Sequence, residues 1–343
     1  MSNNIIKNRI KSSKITGVGS ALIDLLIHET DDFLLEIDKQ KGGMTLVDDS
    51  YIVDILRKIS DRDSNNKLIV VPGGAVCNTI IGIGKLGGRA GFVGKRGNDY
   101  YGNFHEENLK KSNVETIFET SLTPTGKVLS IITPDAQRSM FTYLGASTEL
   151  KPESITPDMF KDCGIAIMEG YLLFNRDLMM ACLKSAKKAG ALIALDLASF
   201  DVVQASKGIL SEIVREYVDI LFANEDEAYE YTGFLDESKA IDALSKDVMV
   251  AVLKIGSKGS YIAYKDGDLS KSQIVRIHAK TGKEAKDTTG AGDLWAAGFL
   301  YGIANGYSIE KSGEIASACG YEVCQVIGAQ IPDHGWKRIC SLL

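Results

Sequence analysis

The chain has 343 residues, of which 45% are hydrophobic, enough to bury the core of one large α/β unit. With 39 Lys and Arg against 45 Asp and Glu the net charge is −6, which excludes the basic footprint of a nucleic-acid binder and requires any phosphate site to be assembled locally from backbone donors, cations or a metal. Cys77, Cys163, Cys182, Cys319, Cys324 and Cys340 are scattered without CxxC pairing and the histidines lie apart from them, so neither a zinc site nor a disulfide framework is expected.

Residues 1–13 read as disordered. Met1 to Lys14 is polar and basic without the apolar segment of a signal peptide, and no apolar run of about 18 residues occurs, so a cytoplasmic protein with no membrane span is predicted. Ile15–Ile27 is apolar with glycine punctuation and reads as a buried strand with a turn near Gly19. Residues 30–66 are polar, with a short helix around Tyr51–Ile59, and Leu68–Val71 is a short strand stopped by Pro72-Gly73-Gly74. From Ala75 to Leu86, Val76, Ile80, Ile83 and Leu86 fall on one face of a helix. Ala90–Val93 is a buried strand, and Lys127–Ile132 and Ser139–Leu144 flank the turn-forming run 133–137 as a hairpin. Further on, strands at Ile165–Met168, Leu192–Leu195, Ile220–Ala223 and Val250–Lys254 alternate with helical stretches such as Leu178–Ala189 and Glu212–Val218. That alternation is the pattern of βαβ units in a mostly parallel sheet. Ser260–Tyr264 and Gln273–His278 add strands, and Leu294–Ile303 is a helix behind a glycine-rich run. The chain therefore divides into an α/β core of 14–24, 74–111 and 148–343 and a small β-lid built from 25–73 and 112–147.

The glycine-rich run carries the chemistry. Gly290-Ala291-Gly292 before a helix turns free N–H groups toward one point, where the helix dipole adds positive character. Asp293 follows in the first turn, and those N–H groups are expected to keep its carboxylate ionised at neutral pH. An oxyanion cradle beside a carboxylate suits phosphoryl transfer, the Asp taking or steering the proton of an attacking hydroxyl. The plainer alternative is an acidic residue satisfying a helix N-terminus. A rival run, Gly82-Ile-Gly84-Lys-Leu-Gly87, matches GxGxxG and would suit an NAD-dependent oxidoreductase, but it falls inside a helical register where small residues serve packing. No GxxxxGK[ST] occurs.

Several polar residues follow strands, where open α/β sheets bind ligands. Asn224 and Glu227 could hold Mg²⁺ through water, or cap a helix. Lys254, Gly256 and Gly259 lie in a turn that could wrap a nucleotide or merely join two strands. Asp24 and Asn78, beside Gly73-Gly74, suit the paired hydroxyls of a sugar. Arg138, in the hairpin turn, could reach a phosphate or stand exposed.

Together these pieces resemble the PfkB carbohydrate kinase family, also called ribokinase-like. DTTGAGD (287–293) is similar to its C-terminal signature, and Gly73-Gly74 with Asn78, the NxxE of Asn224 and Glu227, and the GSKG turn stand in the family's order over roughly 14–332. Within the family the chain resembles adenosine kinases and bacterial sugar kinases similar to them, through PTGKVLSIIT (124–133), DAQRS (135–139), EGYLL (169–173) and DLASF (196–200). The resemblance implies a ribokinase-like α/β fold, a mostly parallel central sheet flanked by helices with a small β-sheet lid. It implies ATP and Mg²⁺, with transfer of the γ-phosphate to a CH₂OH hydroxyl of a nucleoside, adenosine first, or of a free sugar such as ribose or fructose. Asp293 would be the base, Gly290, Ala291 and Gly292 the anion hole, and Asp24, Gly73, Gly74 and Asn78 the grip on the acceptor. Thr288 would touch ATP, and Asp287 and Thr289 match positions of a monovalent cation (K⁺) site. One departure is Gly170-Tyr171-Leu172, where adenosine kinases carry a GFF-like aromatic pair, so aliphatic groups become the alternative to purine stacking. A non-catalytic sugar-binding protein on this scaffold is the remaining alternative, and a monomer or a homodimer suits the lid equally.

Overall fold

The short β-branched runs at Ile165–Met168, Leu192–Leu195, Ile220–Ala223 and Val250–Lys254 become strands, and the chain alternates them with helices. The computed structural model describes residues 10, 13–37, 41–63, 66–135, 137–265 and 271–343, so the expectation of disorder over 1–13 falls largely outside the described residues. The chain enters through β1 (Lys14–Val18) and β2 (Leu22–His28), followed by β3 (Met44–Leu46), a helix over Asp49–Arg62 and β4 (Ile69–Gly73). After the helix Ala75–Lys85 come β5 (Ala90–Gly97), the helix Tyr100–Lys111, β6 (Val114–Ser121), β7 (Thr125–Ile132) and β8 (Arg138–Gly145). Next, β9 (Cys163–Glu169), β10 (Leu192–Asp196), β11 (Ile220–Asn224) and β12 (Val250–Lys254) alternate with helices Arg176–Lys188, Phe200–Tyr217, Glu225–Thr232 and Glu237–Asp247. Finally, β13 (Ser260–Lys265) and β14 (Ser272–Ile277) precede helices Ala291–Ala304, Ile309–Val323 and Asp333–Cys340.

Nine strands form one sheet in the order β14-β13-β12-β11-β10-β9-β1-β5-β6. From β12 to β6 all neighbours are parallel, while β13 and β14 join antiparallel. Strand side chains alternate between two cores, as a sheet covered on both faces requires. Ile165, Ile167, Phe222 and Val252 pack with helices Ala75–Lys85, Ala291–Ala304 and Ile309–Val323. Ala166, Met168, Leu221 and Leu253 pack with helices Arg176–Lys188, Phe200–Tyr217 and Glu237–Asp247 on the other face. Ile10 packs against the first of these cores.

A second sheet of five strands runs β3-β8-β7-β2-β4. One face buries Ile23, Leu25, Leu129, Ile131 and Phe141 against Phe33 and Leu34 of the helix Asp31–Glu36 and Ile52, Ile55 and Ile59 of the helix Asp49–Arg62. This is the small β-sheet that the sequence predicts, with two differences. The apolar run Ile15–Ile27 is two strands in two different sheets, and Asp24 stands on the smaller one. Both halves are buried on both sides, so hydrophobicity carries no mark of the crossing. Within 112–147, β6 pairs parallel with β5 in the large sheet, so only β7 and β8 of that segment belong to the small one. The helix expected at Glu212–Val218 extends from Phe200 to Tyr217.

The helix that carries Asp293 is seated by aromatic packing. Phe222 of β11 meets Trp295 and Phe299 edge-on at centroid distances of 6.2 and 6.0 Å, and those two rings stack at 5.4 Å. Phe222 is fully buried, so Phe222→Ala is expected to lower unfolding stability by about 3–5 kcal/mol in urea titrations.

Candidate active site

Because β1 and β9 to β12 are parallel, their C-terminal ends share one edge of the sheet, and the strand order reverses at β1 there. β9 ends on Glu169, β10 on Asp196, β11 on Asn224 and β12 on Lys254. The helices Ala75–Lys85 and Ala291–Ala304 both begin above this edge and pack on each other through Gly82, where an added Cβ would stand 2.7 Å from that of Ala297. Gly82 and Gly84 are thus buried packing positions inside a helix, not a dinucleotide loop.

Asp293 sits where the two helices meet. Asn78 Nδ2 donates to Asp293 Oδ2 at 3.0 Å, and Thr79 Oγ1 donates to the Asp293 carbonyl at 3.1 Å. Burial pushes the Asp293 carboxyl up to about 7; the Asn78 hydrogen bond and Lys254 oppose this, while Asp196 and Glu169 reinforce it. The expectation of a fully ionised Asp293 is therefore corrected, because desolvation outweighs the N–H groups of the helix start. Asn78 is buried, and its Oδ1 has no hydrogen-bond partner. A buried acceptor left open beside a carboxylate can receive a hydroxyl from a ligand. Gly290 adopts φ 72° as the residue that caps the helix, with Ala291 N–H returning to the Thr288 carbonyl at 3.1 Å.

Lys254 Nζ forms an ion pair with Asp196 Oδ2 at 2.9 Å. Asn224 and Glu227 form a reciprocal capping box: Glu227 N donates to Asn224 Oδ1 at 2.9 Å, and Asn224 N donates to Glu227 Oε2 at 2.8 Å. Burial and the nearby Asp196 hold the Glu227 carboxyl well above its ordinary range. Gly256 and Gly259 lie in the tight turn joining β12 to β13, both with positive φ, and Thr288 is exposed at the same edge.

The small sheet brings the other predicted residues over this edge. Asp24 carries its carboxylate across Gly73, where a Cβ would come within 2.4 Å of Oδ1. Burial pushes Asp24 up to about 6 against the pull of Arg138. Gly74 has φ 101° and caps the helix Ala75–Lys85. Arg138 is not an exposed turn residue: it opens β8 and reaches across to pair with the Asp287 carboxylate and the Thr289 hydroxyl. Asp287 further accepts from Gly328 N at 2.7 Å and Thr289 N at 3.0 Å. The guanidinium thus docks on Asp287 and Thr289, the two positions that match a monovalent-cation site in the resemblance.

Two acids of the site were not singled out from the sequence. Glu169, 1% exposed, accepts from Ser20 N and Ser20 Oγ at 3.0 and 2.9 Å and from Val76 N at 3.3 Å. It ties the crossing between the two sheets to the helix of Asn78. Asp196 is the counter-ion of Lys254. Both close a buried strand, and an acid ending an apolar run was the signal available.

The family described as pfkB family carbohydrate kinase matches residues 49–335. A nucleoside kinase of Methanocaldococcus jannaschii is 32% identical over 79% of this chain and 85% of its own. The 5-dehydro-2-deoxygluconokinase of Bacillus subtilis is 26% identical over 72% of this chain and 78% of its own. Among solved structures, the adenosine kinase of Sinorhizobium meliloti is similar with a TM-score of 0.80 and 29% identity, covering 93% of this chain and 96% of that one. A probable sugar kinase of Rhizobium etli gives a TM-score of 0.81 and 27% identity over the full length of both chains.

A Cβ on Gly74 would stand 2.3 Å from the Ser20 carbonyl oxygen. Backbone strain adds to that clash, so Gly74→Ala is expected to lose at least about 1–3 kcal/mol of stability by urea unfolding.

Proposed function

The chain belongs to the pfkB family of carbohydrate kinases, phosphotransferases with an alcohol acceptor, and on that premise we propose that it transfers the γ-phosphoryl group of ATP to the primary hydroxyl of a nucleoside, adenosine first. The observation that carries this reading is the pairing of Asp293 with Asn78, whose Oδ1 is buried and unpartnered. The acceptor hydroxyls would lie between this pair and Asp24. Asp293 takes the proton of the attacking hydroxyl, and the N–H groups of Gly290 and Gly292 would face the charge that develops on the transferred group, the Ala291 N–H being held by the Thr288 carbonyl. Mg²⁺ bound with the nucleotide would supply neutralisation of the β- and γ-phosphates. Glu227 fits an outer-sphere role toward it, because each of its oxygens accepts one hydrogen bond from Asn224 at 2.8 Å and keeps a further lone pair.

The base of a nucleoside would meet the lid rather than an aromatic pair. On the cleft face of the small sheet, Val71, Asp24, Val128, Thr142 and Leu46 form one cross-strand row. Met44 and Met140 stand on the same face two residues along. That aliphatic and thioether wall supports a flat apolar ring as part of the acceptor. A free sugar is the second reading, favoured by the likeness to 5-dehydro-2-deoxygluconokinase.

Asp293→Asn is expected to lower kcat by roughly 10³-fold with ATP affinity retained, as for loss of a general base. A near wild-type kcat would remove Asp293 from that role. Since only the ionised carboxylate accepts a proton, kcat/KM should fall tenfold per unit as pH drops below about 7. An ADP-release screen should favour adenosine over inosine, guanosine, cytidine, ribose and fructose; a preference for a free sugar would replace the nucleoside reading with the second one.

A further inference from the structure

β12 ends on Lys254, and the side chain carries its ammonium from the sheet edge to the glycine run. Nζ lies 2.9 Å from Asp196 Oδ2, and a Cβ built on Gly292 would stand 3.0 Å from Nζ. The space beside Gly292 is thus bounded by a cation rather than by backbone or an apolar wall. The two side chains are 14% and 13% exposed, so the ammonium cannot swing into solvent without leaving a largely desolvated acid unpaired. Glu227 and Asp293 both act electrostatically on Lys254 along with Asp196; burial disfavours its charge, yet these carboxylates hold its pKa above the ordinary value. One ammonium therefore stands among three carboxylates, at the place where a polyanionic nucleotide must present its terminal phosphate. Backbone N–H groups at a helix start supply only about half an elementary charge.

We propose that Lys254 is a member of the anion hole: its ammonium, held over Gly292 by Asp196, contacts the γ-phosphoryl oxygens and neutralises the charge that builds during transfer. This rests on the kinase reading above. In the step itself the acceptor O–H bond breaks and its proton passes to Asp293. The acceptor oxygen forms the new P–O bond as the bond from the γ-phosphorus to the β–γ bridging oxygen breaks, and ADP leaves with that electron pair. Lys254 neither gains nor loses a proton. Its charge also bears on the base, since the ammonium draws the Asp293 pKa downward against burial.

Lys254→Met is expected to lower kcat by roughly 10²–10³-fold, the loss that follows removal of one oxyanion-hole donor. The acid limb of its kcat/KM profile should move to higher pH, while calorimetry with ADP, which lacks the γ-phosphate, returns wild-type affinity. Lys254→Arg should recover part of kcat. If Lys254→Met loses its cooperative unfolding transition, the double variant Asp196→Asn/Lys254→Met, which does not leave Asp196 unpaired, decides by kcat and ADP affinity. Wild-type kcat with an unmoved pH limb, or loss of ADP binding in parallel with kcat, would overturn the proposal and reduce Lys254 to a counter-ion of Asp196. Asp293→Asn separates the two possible failures. If it loses turnover while Lys254→Met does not, only the role of Lys254 falls; if it keeps turnover, the assignment of Asp293 as the base beneath both is wrong.

Discussion

The site depends on one unfavourable act, the burial of a carboxylate at the junction of two helix starts. Asp293 cannot leave that position, because its own helix is fixed to β11 through Phe222, Trp295 and Phe299. Its neighbours relieve the burial only in part: Asn78 donates one hydrogen bond and Lys254 adds an opposite charge, while Asp196 and Glu169 work against both. The outcome is an acid whose proton is nearly balanced between the two states at neutral pH. A base in that condition accepts a proton readily and can also release it, whereas an exposed aspartate would be too weak a base at pH 7.

The small sheet is attached to this centre by polar contacts. Glu169 joins the Gly19-Ser20 crossing to Val76 at the start of the Asn78 helix, and Arg138 joins the tip of β8 to Asp287 and Thr289. Asp24 lies over Gly73, the last residue of β4, so its strand packs directly against the glycines that lead into the helix Ala75–Lys85. The small sheet and the 287–293 run are therefore linked through side chains on both sheets. Such links matter for a kinase because water must be kept from the phosphoryl group until the acceptor is in place.

Much of this was legible in the sequence. Short apolar runs alternating with helical ones identify the parallel sheet, since strands covered on both faces need no alternation to be recognised. DTTGAGD, Gly73-Gly74 and Asn78 also stand out, because glycine and amide chemistry at a helix start is local. What escaped was non-local. In Ile15–Ile27 only the turn at Gly19 hints at the passage from one sheet to the other, since the apolar residues before and after it are buried alike. The helix Tyr100–Lys111 carries too few apolar residues for periodicity to locate it, while the start of Phe200–Tyr217 does carry Val202 and Val203 on its buried face. The roles of Glu169 and Asp196 depend on partners 149 and 58 residues away. The ionisation of Asp293 is not legible for the same reason: its helix N-terminus is written in the sequence, but the surrounding protein and the acids of β9 and β10 that raise its pKa are not.

The direct test of this account is the titration of Asp293 in the unliganded protein. Aspartate labelled with ¹³C at the side-chain carboxyl, with the Asp293 signal assigned by its loss in Asp293→Asn, gives the midpoint without any turnover. A midpoint near about 7 is expected from the burial described here. A midpoint near the ordinary value of 3.8 would mean that the carboxylate is solvated, and the poised base at the centre of the site would not exist.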